Sequence, residues 1–210
     1  MINISGWISR NWVSTVPIVL SVVAIIFTAT KDFIIPLILK PKLDFTYCPK
    51  EPYKRGPVII NPGQHHLAFF DRFKIENIGR NIAKNCRCQI FSVVNSKNKE
   101  FDFHGYPLRW ASRPESAIDF TKAERLNIAS GESEFVDLAY FRSDAGNKLL
   151  FNKYHNVDIG MPDNLDLDDY IVQIIVSGDN FRPYLLTFRI SKKLLGLQGL
   201  DIKLLEVKRK

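Results

Sequence analysis

A continuous uncharged segment near the N-terminus constrains this chain more than any other feature. The 19 residues 12–30 contain no Asp, Glu, Lys or Arg. As an α-helix they would extend about 28 Å, at roughly 1.5 Å per residue, which is close to the hydrocarbon thickness of a bilayer. Trp7 and Trp12 stand where interfacial aromatic residues often occur. The segment therefore predicts one transmembrane helix over 12–30.

Two other interpretations of this segment stay open, a cleaved signal peptide and a buried core helix. Residues 16–27 have a suitable length for a signal peptide, but no A-x-A cleavage motif follows them. A core helix usually has a polar stripe, which this segment lacks. The next apolar patch, 33–39, is too short to span a bilayer and contains Pro36. We expect it to lie at the interface or to lead into the first strand, although a two-span hairpin with an unusually short second helix remains an alternative.

The basic residues are concentrated at the two ends of the chain. The net charge is +7, whereas residues 61–190 hold 16 basic and 17 acidic side chains and the last twenty residues have a net charge of +4. A protein that binds duplex nucleic acid usually has a basic stripe on its folded domain. The distribution therefore excludes that class and fits contact with an anionic membrane surface, unless the lysine-rich ends are only solvated.

The residues that flank the apolar segment predict its orientation. Arg10 precedes it, and four lysines follow it: Lys31, Lys40, Lys42 and Lys50. Because basic residues accumulate on the cytoplasmic side of a span, the larger C-terminal part is expected in the cytoplasm. The small and odd number of cysteines, three, agrees with a reducing compartment.

After residue 40 the sequence alternates with a period of two. In 67–75, Leu67, Phe69, Phe73 and Ile75 share one face. Such alternation is typical of half-buried antiparallel strands. It recurs at 86–94, 134–140, 170–176 and 184–190, and weaker strands are predicted at 42–48, 57–61, 107–111, 117–121, 124–129 and 148–154. Residues 194–207 fit a strand or a short helix, and two glycines favour the strand.

Seven to nine short strands without an amphipathic helix between them predict a mainly β fold, most simply an antiparallel sandwich and otherwise a barrel. The predicted organisation is an N-terminal flank (1–11), the transmembrane helix (12–30), a juxtamembrane connector (31–41), the β-sandwich (42–191) and a basic C-terminal segment (192–210).

Part of the β region resembles the immunoglobulin-like sandwiches of prokaryotic membrane-anchored proteins. The resemblance covers about 65–191 and depends on the hairpin at 73–79 (FKIENIG), Ala83 and the strand from Cys86, and on the later run 131–132, 170–176, 178–180 and 184–190. The Cys…Trp…Cys framework of antibody domains is not matched, because Trp110 follows both Cys86 and Cys88. The resemblance implies an immunoglobulin-like binding or structural module and supplies no catalytic residue.

The residue types that usually carry chemistry form no recognisable set. Cys86 and Cys88 could share a metal ion from one face of a strand, but a zinc site needs further ligands than Cys48 and the four histidines offer, so we interpret them as core thiols. We interpret the histidines as ordinary surface or turn residues: His65, His66, His104 and His155.

The acidic run 163–169 does not have EF-hand spacing and is interpreted as a solvated approach to the following strand. No nucleotide-binding, metalloprotease or serine-hydrolase motif occurs. We therefore predict no catalytic, cofactor-binding or metal-binding residue, and no enzyme activity.

These observations predict a single-pass membrane protein whose β domain binds another protein or a second copy of itself, through a sheet edge or a loop end. The alternative is a membrane-tethered sensor that binds a small ligand such as a nucleotide messenger. Four arginines could contact its phosphates: Arg109, Arg113, Arg125 and Arg142.

Overall fold

A computed structural model of the chain describes residues 12–31, 39–59, 67–113, 124–142, 148–151, 165–194 and 200–210, and every structural statement below concerns these residues. The chain divides into two compact units, Met1–Lys40 and Pro41–Lys210. The first contains one helix, and the second is built of antiparallel strands, so the predicted mainly β class is confirmed.

The described elements are α1 (Trp12–Ala29), β1 (Leu43–Thr46), β2 (Lys54–Ile59), β3 (Leu67–Asn77), β4 (Ala83–Asn95), β5 (Glu100–Phe101), β6 (Tyr106–Pro107), β7 (Leu126–Ile128), β8 (Ser133–Arg142), β9 (Lys148–Leu150), β10 (Leu165–Asp166), β11 (Tyr170–Ser177), β12 (Tyr184–Leu194) and β13 (Leu200–Arg209).

Helix α1 corresponds to the uncharged segment and is 18 residues long. Pro17 lies inside it, in the second turn, where it removes one backbone hydrogen bond. Two polar side chains form hydrogen bonds with backbone carbonyls one turn earlier. Ser21 Oγ donates to the Pro17 carbonyl and Thr30 Oγ1 donates to the Ile26 carbonyl, both at 2.8 Å. In the described part of the chain, no helix combines the length and the apolar character expected of a membrane span.

The strands of the second unit form two antiparallel sheets. The first sheet has the order β1-β3-β8-β9-β10, and β2 also pairs with β3. The second has the order β13-β12-β11-β4-β5, with β6 and β7 paired to β4. The pairings β3 with β8 and β4 with β11 join strands that are far apart in sequence, so the chain crosses repeatedly between the two sheets.

The inner faces of the two sheets share one apolar core. Along β11 the residues are alternately buried and more exposed, as the period-two pattern predicts. Phe73 of β3 packs against Phe188 of β12 with ring centroids 5.3 Å apart, and Phe45 of β1 packs against Tyr184 at 5.0 Å. Each such buried side chain contributes about 1.5–3 kcal/mol of transfer free energy.

The five strongest strand predictions correspond to β3, β4, β8, β11 and β12. The weaker prediction at 117–121 lies outside the described residues, and 107–111 contains only the end of β6 and an isolated bridge between Trp110 and Val136. The region 194–207 contains the end of β12 and most of β13. The basic C-terminal segment thus extends the second sheet, and the sequence-based boundary at residue 191 falls within β12.

Candidate functional site

Strand β13 forms one border of the second sheet, and β12 is its single pairing partner among the described strands. We call residues 201–208 the β13 edge. An edge strand presents unpaired backbone N–H and C=O groups to which another strand can add. The borders formed by β5 and β10 have only two residues each, whereas β13 has ten. In the described part of the chain, the β13 edge therefore offers the longest continuous border.

A β-bulge divides the β13 edge into two halves. Leu204 pairs with Phe188 and Glu206 with Thr187, so Leu205 between them has no counterpart in β12. Leu200 and Ile202 are buried before the bulge, whereas Leu205 and Val207 are 53% and 41% exposed. The second half of the strand thus presents apolar side chains to solvent.

The charged residues of the β13 edge lie on its outer face and alternate in sign. They are Asp201, Lys203, Glu206 and Lys208. Glu206 and Lys208 form an exposed salt bridge at 3.0 Å. No salt bridge joins Asp201 or Lys203 to another described residue. Two of these four charges, Asp201 and Lys203, are therefore available for contact with another chain.

An acidic side chain, Asp71, is buried on the inner face of β3. Only 1% of the residue is exposed. Tyr47 donates its hydroxyl to Asp71 Oδ1 at 3.0 Å, and Lys54 Nζ lies 3.3 Å from the same oxygen. Lys54 also donates to the carbonyl of Leu200, the first residue of β13. This Asp71 cluster (Tyr47, Lys54, Asp71) therefore connects the residue after β1, together with β2 and β3 of the first sheet, to the start of β13.

Burial raises the pKa of Asp71 to about 6, and Lys54 and the Tyr47 hydrogen bond oppose that rise. The same burial, together with the nearby charge of Asp71, raises the pKa of Tyr47 far above its ordinary value. Tyr47 therefore stays a hydrogen-bond donor, and Asp71 is the group of this cluster that changes charge near neutral pH.

A second buried carboxylate, Asp137 of β8, is held by two arginines. Arg72 Nε donates to Asp137 Oδ1 at 2.5 Å, and Arg109 donates to Asp137 Oδ2. Arg109 also donates to the Arg113 carbonyl at 3.0 Å. This Asp137 cluster (Arg72, Arg109, Asp137) joins β3, β8 and the segment after β6, so its role is structural.

A cavity of about 260 Å³ lies beside the first residues of β2. Its lining includes Lys50, Glu51, Lys54, Arg55, Phe69 and Phe70. Phe70 stacks on Tyr140 with centroids 5.4 Å apart. Three basic residues and one acidic residue in this lining give it a net positive charge, which suits a small anion.

The structure does not gather the four arginines that the sequence suggested for phosphate binding. Arg109 is occupied by Asp137, and Arg113 is linked to Arg109 only through its backbone carbonyl. Arg125 lines a different cavity, of about 200 Å³, and lies 3.8 Å from Glu124. The side chain of Arg142 lies outside the described residues. The basic cavity beside β2 uses other residues.

Cys86 and Cys88 lie side by side on the buried face of β4, as expected for core thiols. Burial raises the pKa of Cys86 to about 12 and also raises the pKa of Cys88 well above its ordinary value. Both sulfurs therefore stay protonated, which opposes metal binding and nucleophilic chemistry. Cys48 is half-buried and also unbonded to another cysteine.

The described histidine and acidic residues do not converge on a site. His104 Nδ1 contacts the Phe91 carbonyl at 3.0 Å, whereas His65, His66 and His155 lie outside the described residues. Within the acidic run, Asp166 pairs with Lys148 at 2.5 Å and Asp168 accepts a hydrogen bond from Ser96. No group of three potential metal ligands occurs in the described part of the chain.

Sequence reasoning missed both buried carboxylates. Asp71 interrupts the apolar face formed by Leu67, Phe69, Phe73 and Ile75, and that interruption was a readable signal of a buried charge. In the sequence alternation Asp137 takes an outward position, which gives no sign of burial. It is buried against Arg109, which is distant in sequence.

Comparison of the chain with protein-family models, curated protein sequences and solved structures found no match.

Proposed function

We propose that this chain is a single-pass membrane protein whose immunoglobulin-like β-sandwich faces the cytoplasm and binds protein through the β13 edge. One observation carries the binding part of this proposal: the longest border strand of the described chain is solvent-exposed and bears apolar and charged side chains. Such a strand can receive an additional strand through backbone hydrogen bonds, while its side chains select the partner.

The composition and exposure of α1 support the membrane anchor. The large apolar side chains from Ile18 to Phe27 are 49–69% exposed. Leaving so much apolar surface in water is costly, and a bilayer would cover it. The hydroxyls of Ser21 and Thr30 are already bonded to helix carbonyls, so they would not require water.

The strand pairings support the immunoglobulin-like assignment. In immunoglobulin domains the second strand pairs with the fifth, and the third and seventh flank the sixth. Here β3 pairs with β8, and β4 and β12 flank β11, in the corresponding chain order. Strand β13 is an additional strand that follows the last strand of that topology. Because it pairs with β12, the border of the second sheet is formed by β13 and not by β12.

Extraction of the full-length chain from membranes at alkaline pH tests the anchor. The wild-type chain is expected to stay in the membrane pellet, whereas a variant with Leu20→Arg and Val23→Arg is expected to be released, because each buried arginine disfavours insertion by several kcal/mol. A variant with Lys31→Ala and Lys40→Ala, outside the uncharged segment, is the matched control and should remain in the pellet. Release of the wild-type chain would refute the anchor.

The cavity beside β2 favours a second candidate, a membrane-tethered sensor of a small anion. Lys50 and Arg55 would contact the anionic group, since Lys54 already pairs with Asp71. A thermal-shift screen of the full-length chain with mononucleotides and cyclic dinucleotides tests this function. Stabilisation that is lost in the Arg55→Ala variant supports the sensor, and the absence of any shift at millimolar ligand refutes it.

A further inference from the structure

We propose that the protein bound at the β13 edge is a second copy of this chain, paired antiparallel so that the two second sheets become one continuous sheet. This inference rests on the proposed use of the β13 edge for binding, and it names the partner. The evidence is the order of side chains along β13, which is complementary to itself when the strand is reversed.

Opposite charges meet in one specific register of this pairing. With Lys203 opposite Glu206 of the second copy, Asp201 lies opposite Lys208. Two-fold symmetry repeats both contacts, so four pairs of opposite charge form across the new boundary. In the same register the apolar residues also meet, because Ile202 lies opposite Val207 and Leu204 opposite Leu205.

The bulge makes this register compatible with the two faces of the sheet. Residues that pair across strands must point to the same face. Ile202 pairs with the buried Ile190 and Val207 with the buried Leu186, so both point toward the core side. In a regular strand, residues five apart point to opposite faces, and the extra residue Leu205 removes that mismatch. The bulge therefore permits Ile202 to face Val207 of a second copy.

The same charges disfavour the neighbouring registers. A slip of two residues in one direction places Asp201 opposite Glu206, and a slip in the other direction places Lys203 opposite Lys208. Like charges directly opposite one another are destabilising. Lysines and bulges on edge strands usually discourage indiscriminate pairing. On β13 they would exclude most other strands and still admit the reversed copy.

The exposed apolar surface supports pairing with a copy of similar shape. Leu205 and Val207 are 53% and 41% exposed in the single chain. In the paired arrangement they would lie beside Leu204 and Ile202 of the second copy, which are more buried. Each copy would thus cover the exposed half of the other copy's strand with its own buried half.

A charge-swap experiment in trans tests the inference. Two differently tagged full-length chains are co-expressed, solubilised in mild detergent and co-purified through one tag. Lys203→Glu alone places Glu opposite Glu206, and Glu206→Lys alone places Lys opposite Lys203. With either variant in both tagged chains, co-purification should fall about tenfold or more, because two of the four attractive charge pairs become repulsive. Co-expression of Lys203→Glu with Glu206→Lys should restore association, because the swapped charges again oppose each other.

Two comparisons make the result decisive. Lys97→Glu, an exposed charge reversal in the turn after β4, should leave association unchanged. The mixed pair excludes misfolding as the cause of the single-variant losses, because a misfolded chain would not regain association with a complementary partner. Unchanged association of either single variant, or failure of the mixed pair to associate, would overturn the inference.

Alkaline extraction of the same samples separates this inference from the membrane anchor. If the chains stay in the membrane pellet but wild-type copies do not associate, the anchor stands and self-pairing is refuted. If association follows the charge rules but the chain is released, self-pairing stands and the anchor is refuted.

Discussion

The charges in the interior of the first sheet and those along the β13 edge are arranged differently. In the interior, Asp71 and Asp137 each lie against oppositely charged groups of the same chain. On the β13 edge, the salt bridge found among the described residues joins Glu206 and Lys208, and both are exposed. Buried charge must be compensated within the fold, whereas edge charge can be compensated by a partner. Interior charges should therefore determine folding stability, and edge charges should determine association.

The largest expected effect is at the Asp137 cluster. Asp137→Ala leaves Arg72 and Arg109 without their carboxylate in a buried position, and we expect the free energy of unfolding to fall by about 3–5 kcal/mol. Thermal unfolding of the full-length chain in detergent, followed by near-ultraviolet circular dichroism, measures it. The matched control is Asp166→Ala, which removes an exposed carboxylate paired with Lys148 and should leave the midpoint unchanged. A loss below about 1 kcal/mol at Asp137 would contradict the structural role of the cluster.

The next effect is a pH dependence of stability that originates at Asp71. Its folded-state pKa of about 6 exceeds its ordinary value of 3.8, so the folded protein binds the proton more tightly than the unfolded chain does. The resulting stabilisation is fully present below about pH 4 and is lost as the pH rises through about 6. At about 1.4 kcal/mol per pKa unit, this contribution is on the order of 3 kcal/mol.

Asp71→Asn isolates that contribution, because it removes the titrating group and conserves the shape of the side chain. Unfolding midpoints of wild type and variant are compared between pH 4 and pH 7.5. We expect the difference between the two proteins to change with pH in favour of the variant as the pH rises. Parallel curves over this range would show that Asp71 does not titrate as described.

A smaller effect is expected from removal of the Tyr47 hydroxyl. Tyr47→Phe deletes its hydrogen bond to Asp71 Oδ1, and we expect a loss of about 1 kcal/mol at neutral pH. Because that bond lowers the pKa of Asp71, the variant should also shift the upper limit of the pH dependence to higher pH. A pH profile identical to wild type would contradict the contact.

The smallest effect on folding is expected at the β13 edge. Lys203→Ala removes an exposed charge that forms no salt bridge with a described residue, so the free energy of unfolding should change by less than about 0.5 kcal/mol. Its self-association should nevertheless weaken. A folding defect as large as that of Asp137→Ala would remove the distinction between interior and edge charges.

The strands were predictable from sequence wherever the alternation of apolar residues was uninterrupted. β11 and β12 satisfy that condition, and their predicted faces match the observed burial. Strand β8 was also predictable as a strand, but the faces of its residues were not, because Asp137 pairs with Arg72 while Ala139 pairs with Asp71, which leaves Leu138 as an extra residue. Beyond this bulge the faces exchange, so Tyr140 stacks on Phe70 and does not lie on the same face as Val136, although a strict alternation over 134–140 predicts that it would.

The candidate sites were less predictable, because they depend on pairing between distant strands. The composition of 192–210 indicated only a basic terminus, whereas its placement beside β12 makes it a sheet border. The cavity beside β2 likewise brings Lys50 and Arg55 to Phe69 and Phe70 of the next strand. Single-sequence patterns report which face a residue occupies, but they do not report which strand lies next to it.

Hydrogen–deuterium exchange of the full-length chain in detergent, measured over a hundredfold range of protein concentration, tests self-pairing at β13 most directly. Pairing with a second copy would give the outward amides of 201–208 new hydrogen-bond acceptors. We predict that exchange in this segment slows as the concentration rises, while the amides of β5 and β10, at the opposite borders, exchange at a constant rate. Exchange of 201–208 that is independent of concentration, under conditions where the chain associates, would contradict the account.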